Sequence, residues 1–156
     1  MVSMVPSLVV APLSKGAVDA ACPKPARQAG AEVEQCKSIL VVEDDEGIRE
    51  TMRIFLEIEG YNVVTAADGQ KALDALAKAN PCLILLDLMM PVMNGWEFVE
   101  ALKNTKYADN PVVIVTAFTD QVGAIKHNGI IGKPFDLAAL KKTVQRWCGE
   151  PGGTKT

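Results

Sequence analysis

The chain has 156 residues, 49% of them hydrophobic and 22% charged, a profile that suits one globular domain with a buried core and leaves little room for a second. Sixteen basic residues stand against 19 acidic ones, a net charge of −3, so no electrostatic surplus draws the chain to nucleic acid or to an anionic membrane. The four cysteines, Cys22, Cys36, Cys82 and Cys148, lie far apart with no C-x-x-C pair and a single histidine, His127, so neither a zinc site nor a disulfide scaffold is indicated.

Residues 1–37 carry Pro6, Pro12, Pro23 and Pro25 among Ala, Gly and Ser with no sustained period, and are expected to form a disordered leader. Its apolar run from Met4 to Leu13 has no basic residue before it and is interrupted by two prolines, so it is not expected to direct export, and it is too short to span a bilayer.

From Ser38 onward the pattern changes. Ile39-Leu40-Val41-Val42 is an unbroken aliphatic run of strand length that ends in Glu43-Asp44-Asp45, acids that also suit the start of a helix. Ile48, Met52, Phe55 and Leu56 then share one helical face, and Gly60 stops the helix. Tyr61 to Thr65 reads as an edge strand, and Asp68 as the N-cap of a second helix carrying Ala72, Leu73 and Leu76. A second aliphatic run, Leu83-Ile84-Leu85-Leu86, starts beside Cys82 and ends in Asp87, a lone carboxylate that is costly to bury ionised without a cation or a charged partner. Asn94 opens a third helix with Phe98, Val99 and Leu102. Val112-Val113-Ile114-Val115 is the next strand and ends in Thr116, while Ile130-Ile131 is the stub of a fifth, followed by Lys133. Asp136 opens the last helix, with Leu137, Leu140, Val144, Trp147 and Cys148 on one stripe. Cys82 and Cys148 are therefore expected as buried or half-buried reduced thiols, which suits the cytoplasm. Residues 149–156 are polar and rich in Gly, and are expected to be a disordered tail.

Strand and helix alternating in this way imply an α/β fold, a doubly wound parallel sheet with right-handed crossovers, whose ligands bind beyond the carboxyl ends of the strands. Glu43, Asp44, Asp45, Asp87, Thr116 and Lys133 all fall at those ends. Carboxylates converging there raise one another's pKa unless a cation is present, and hard oxygen ligands from separate strands favour Mg²⁺. With Mg²⁺ and Lys133 beside it, Asp87 is placed to act as a nucleophile in phosphoryl transfer, with the Thr116 hydroxyl donating a hydrogen bond to the same group.

Ile39-Leu40-Val41-Val42-Glu43-Asp44-Asp45, Asp87-Leu88-Met89-Met90-Pro91-Val92-Met93-Asn94-Gly95, Val115-Thr116-Ala117 and Lys133-Pro134-Phe135 together resemble the receiver domain of two-component response regulators, over residues 38–148. The resemblance implies a flavodoxin-like (βα)5 fold with strand order 2-1-3-4-5, and phosphorylation by a sensor histidine kinase or a histidine phosphotransfer protein. It implies Asp87 as phosphoacceptor, Asp44 as a direct Mg²⁺ ligand, Glu43 acting through water, the Met89 carbonyl completing the metal site, Thr116 as the switch hydroxyl and Lys133 as the phosphate-pairing cation. Asp45 aligns with a flanking acid. The Lys133-Pro134 bond is similar to one that is usually cis in the family.

Two departures stand out. The position three before Lys133, often aromatic in the family, is Ile130. Only 17 residues lead from Thr116 to Lys133, about five fewer than usual, or ~1.4 turns at about 3.6 residues per turn. With Gly123 and Gly129 inside the segment, the fourth helix is expected to be shortened or irregular. His127, with one flanking lysine, is expected as a surface residue.

The leading expectation is a single-domain response regulator, not an enzyme, active in phosphorelay signal transduction through protein contacts, monomeric or weakly dimeric on phosphorylation. Two alternatives are a phosphorylation-independent adaptor with a degenerate switch and a Mg²⁺-dependent phosphohydrolase. The latter chemistry usually uses a second acid two residues after the nucleophile, where this chain has Met89. Met89 and Phe118 are apolar and cannot orient a water, so slow self-dephosphorylation is expected.

Overall fold

Three aliphatic runs buried on both faces form the centre of a parallel sheet. In the computed structural model, which describes residues 38–151, they are β1 (Ser38–Val42), β3 (Leu83–Leu86) and β4 (Val112–Thr116). The outer strands are β2 (Asn62–Ala66) and β5 (Gly129–Gly132), and the order is β2-β1-β3-β4-β5 with every pair parallel. This is the flavodoxin-like order. The leader expected over 1–37 lies outside the described residues, as do residues 152–156.

Side chains alternate across the sheet, and each face is closed by helices. Leu40, Val42, Ile84, Leu86, Val112 and Ile114 pack on one side with α2 (Gly69–Ala79) and α3 (Gly95–Leu102). Ile39, Val41, Leu83, Leu85, Val113 and Val115 pack on the other with α1 (Glu46–Ile58) and α4 (Leu137–Cys148). Each helix starts where a short polar side chain satisfies free N–H groups. Asp45 accepts from Ile48, Asp68 from Lys71, Asn94 from Glu97 in a reciprocal capping box, and Asp136 from Ala139.

The segment between β4 and β5 is the irregular part of the fold. In place of a fourth helix it has one 3-10 turn, Thr119–Gln121, so the last helix is α4. Gly123 takes φ +71°, a conformation open to glycine at little cost, and ends that turn. Val122 and Ile125 pack against the core beside α2 and α3, and the Trp96 indole N–H donates to the Val122 carbonyl at 3.2 Å.

Two expectations from the cysteines and the histidine are corrected. Cys82 and Cys148 are joined in a disulfide, with Cα atoms 5.8 Å apart and a sequence separation of 66. Their spacing along the chain carries no sign of this, because the fold itself brings the residue before β3 against the end of α4, within bridging range. His127 is half-buried rather than on the surface, and its Nδ1 atom is buried with no hydrogen-bond partner among the described residues. Past α4 the Gly149 carbonyl accepts a 2.7 Å hydrogen bond from the Tyr61 hydroxyl, which ties the first residue of the expected tail to the fold.

Candidate functional site

Parallel pairing decides which side chains meet. Val42 is in register with Leu86, and the Asp87 N–H donates to the Val42 carbonyl at 2.9 Å, so the residues following β1 and β3 emerge side by side. Thr116 is in register with Gly132, and the Lys133 N–H donates to the Thr116 carbonyl at 2.8 Å, which sets the lysine one step beyond the same edge. The two pairs of strands lie on either side of the β3–β4 junction, next to the place where strand order reverses.

One carboxylate oxygen from each of Glu43, Asp44 and Asp87 lies within 4.8 Å of the other two. Glu43 and Asp87 are buried, whereas Asp44 is exposed. The Lys133 ammonium reaches into this group, 2.6 Å from Glu43 Oε2 and 3.5 Å from Asp87 Oδ1, with its side chain 16% exposed. The Lys133–Pro134 peptide is cis. Asp45 stands apart from the cluster: its Oδ1 caps α1, and its N–H donates to Glu43 Oε1 at 3.1 Å.

Thr116 is fully buried, and its Oγ1 accepts from the Phe118 N–H at 3.0 Å. Met89 and Phe118 are exposed in the loops after β3 and β4. Ile130 is 41% exposed on β5, so the aromatic position of the resemblance is held by a half-open aliphatic side chain.

The charges in this group are in tension. Burial pushes the Glu43 carboxyl up to about 7, against the lowering hydrogen bond from Lys133 and with the Asp87 charge adding to the rise. Burial likewise raises Asp87, opposed by Lys133 and reinforced by Asp44. Lys133 is raised although burial works against its charge, because the Glu43 hydrogen bond and both carboxylates hold its proton. One ammonium offsets three acids incompletely. An all-oxygen donor set with raised carboxyl pKa values is what a hard divalent cation fits, since it binds the ionised form.

Some residues of the site carry no signal in a motif of acids. Gly95 starts α3 against the Asp87 loop, where a Cβ would stand 2.6 Å from the Asp87 carbonyl oxygen. Arg49 folds back onto the β1–α1 turn, where its guanidinium donates to backbone carbonyls. Only the close approach of backbones and the direction of a side chain reveal either role.

The sequence profile of the response regulator receiver domain matches residues 39–145. A probable transcriptional regulator ycf27 from Porphyridium aerugineum is 40% identical over 119 residues, covering 71% of this chain and 48% of that protein. Sporulation initiation phosphotransferase F from Bacillus subtilis is 35% identical over 121 residues, covering 71% of this chain and 93% of that protein. Among solved structures, the response regulator TrrA from Thermotoga maritima, in complex with Mg²⁺-BeF, is 31% identical with a TM-score of 0.64, covering 71% of this chain and 98% of that one. The chain spans about half the length of most of the curated relatives that it matches.

Proposed function

The chain belongs to the response regulator receiver domain family, and on that premise we propose that it works in a phosphorelay, with residues 38–148 as the receiver. The Asp87 carboxylate attacks the phosphorus of a phosphohistidine on a sensor histidine kinase or a histidine phosphotransfer protein. An O–P bond forms, the P–N bond breaks, and its electron pair returns to the imidazole. The observation that carries this reading is the placement of Asp87: buried, within 4.8 Å of two more carboxylates, and 3.5 Å from Lys133.

Glu43, Asp44 and Asp87, with the Met89 carbonyl, would hold Mg²⁺, in keeping with the donor set and with the Mg²⁺-BeF complex of the Thermotoga relative. When bound, the ion supplies positive charge to the oxygens of the transferring group. Lys133 pairs with the phosphoryl oxygens on the other side, and Thr116 donates its hydroxyl to them, exchanging its place beside Phe118 for one beside the new charge. The phosphorylated form is then read by a partner protein. Among the described residues no helix is long and apolar enough to cross a membrane.

The test is incubation of the full chain with acetyl phosphate and MgCl₂, followed by intact mass. One added phosphoryl group is expected in the wild type and none in Asp87→Asn; no addition in the wild type, or undiminished addition in Asp87→Asn, overturns the proposal.

A second reading rests on the 3-10 turn that stands where the fourth helix is usually found. If that segment does not respond to phosphorylation, the chain is an adaptor whose partner binds phosphorylated and Asp87→Ala forms equally, and a pull-down with the two forms separates the readings.

A further inference from the structure

Arg49 occupies the first turn of α1, where the free N–H groups of the helix already carry partial positive charge and a cation is disfavoured. Even so, its side chain is only 18% exposed and turns back over the helix start. Its Nη1 donates to the Glu43 carbonyl at 2.8 Å and to the Asp44 carbonyl at 3.3 Å. The Glu46 carboxylate lies 3.9 Å from Nη2 and is largely exposed, so it offers little compensation.

The two carbonyls belong to the two residues whose carboxylates meet Asp87. The bonds donated by the backbone N–H groups of the turn stay within it or reach β2: Glu43 N–H to the Ala66 carbonyl, Asp45 N–H to Glu43 Oε1, Ile48 N–H to Asp45 Oδ1, and Arg49 N–H to the Asp45 carbonyl, while the Glu43 carboxylate also accepts from Lys133 at 2.6 Å. Among the described residues, Arg49 is the side chain that bonds both carbonyls. With them fixed, the backbone directions from which the Glu43 and Asp44 side chains leave are fixed as well.

We propose that Arg49 is a positioning residue for the Mg²⁺ site, holding the β1–α1 turn so that Glu43 and Asp44 are presented in ligating geometry before the ion arrives. This rests on the reading of the cluster as a Mg²⁺ site. Groups that orient metal ligands without touching the metal typically change affinity by roughly 10- to 100-fold when removed. The charge of Arg49 acts in the opposite direction, since a cation near the site repels Mg²⁺. The two effects are separable. Arg49→Lys keeps the charge but, with a shorter reach and no planar guanidinium, loses the fixed placement of the one nitrogen, Nη1, that donates to both carbonyls. Arg49→Gln loses both.

The experiment is calorimetric titration of the full chain with MgCl₂ at constant ionic strength. Binding by both variants about 10-fold or more weaker than wild type is the expected result. Binding by Arg49→Lys equal to wild type, or tighter binding by Arg49→Gln, overturns the proposal. Melting in EDTA supplies the control: a merely structural role lowers Tm and leaves the Mg²⁺ Kd of the folded protein unchanged, which also overturns it. In the wild type, which depends on no variant folding, the Arg49 guanidinium protons are expected to exchange with solvent more slowly than those of an exposed arginine, and exchange at the free rate overturns it. Failure of the wild type to bind Mg²⁺ at all removes the underlying site assignment and the proposal with it, an outcome distinct from Mg²⁺ binding that is indifferent to Arg49.

Discussion

The turn after β1 and the connector after β4 both leave the carboxyl edge of the sheet, and they are built in opposite ways. The first is bonded from every side: Asp45 caps α1, its N–H bonds Glu43, and Arg49 spans the Glu43 and Asp44 carbonyls. The second has a 3-10 turn with no side-chain cap, a glycine at positive φ, and Val122 and Ile125 as its main apolar anchors. A metal site gains from ligands held in place before binding, whereas a segment that reports a change of state needs a second arrangement of similar energy. The contrast predicts that perturbing the cluster alters chemistry and stability together, and that perturbing the connector alters response with little effect on the chemistry.

The largest expected effect is at Lys133, whose ammonium serves two buried carboxylates. Lys133→Met leaves them unpaired, and the metal-free protein should lose about 3 kcal/mol of stability, the usual cost of breaking a buried pair. Urea unfolding in EDTA measures the loss. Added Mg²⁺ should restore a large part of it, because the ion replaces the missing charge; a loss unaffected by Mg²⁺ would break the link between cluster and cation.

Next comes pH. The folded Glu43 carboxyl, at about 7 against an ordinary 4.5, takes up a proton more readily than the unfolded chain. Its contribution is therefore fully present below pH 4.5 and is lost as pH rises through 7. Asp87, also raised, adds in the same direction. In EDTA the protein should gain about 2 kcal/mol between pH 8 and pH 5, from a shift of this size. Saturating Mg²⁺, which binds the ionised form, should flatten or reverse the trend.

A smaller effect sharpens the other half of the contrast. Trp96→Phe removes the indole hydrogen bond to Val122, worth about 1 kcal/mol, and should speed amide exchange in the connector while the Mg²⁺ Kd stays unchanged. The smallest lies in the loop after β3. Val92 is β-branched, takes φ +67° and is 79% exposed, so Val92→Gly gives up little packing and relieves backbone strain. Thermal melting should show a gain of about 0.5–1 kcal/mol.

The central strands were legible because residues buried on both faces leave unbroken aliphatic runs, and the N-caps Asp68, Asn94 and Asp136 because short polar side chains mark where a helix has free N–H groups. At α1 the run Glu43-Asp44-Asp45 marked a helix start without singling out Asp45. Glu43, Asp44, Asp87 and Lys133 were legible as a group because parallel strands bring their carboxyl ends together regardless of distance along the chain. The Cys82–Cys148 bond and the half-buried His127 were not, since both depend on how separate elements pack rather than on local pattern. Arg49 was hidden for a related reason: its partners are backbone carbonyls, which every residue possesses. The connector was legible only as a deficit of length and an excess of glycine, which foretold an irregular fourth helix but not the route of the chain.

The most direct test is amide hydrogen exchange of the full chain in MgCl₂, with and without acetyl phosphate, read by peptide mass. A changed exchange rate over residues 116–133 in the wild type, and none in Asp87→Asn, is the predicted result. Phosphoryl addition at Asp87 that leaves 116–133 unchanged would contradict the account and favour an adaptor that carries the site without using it as a switch.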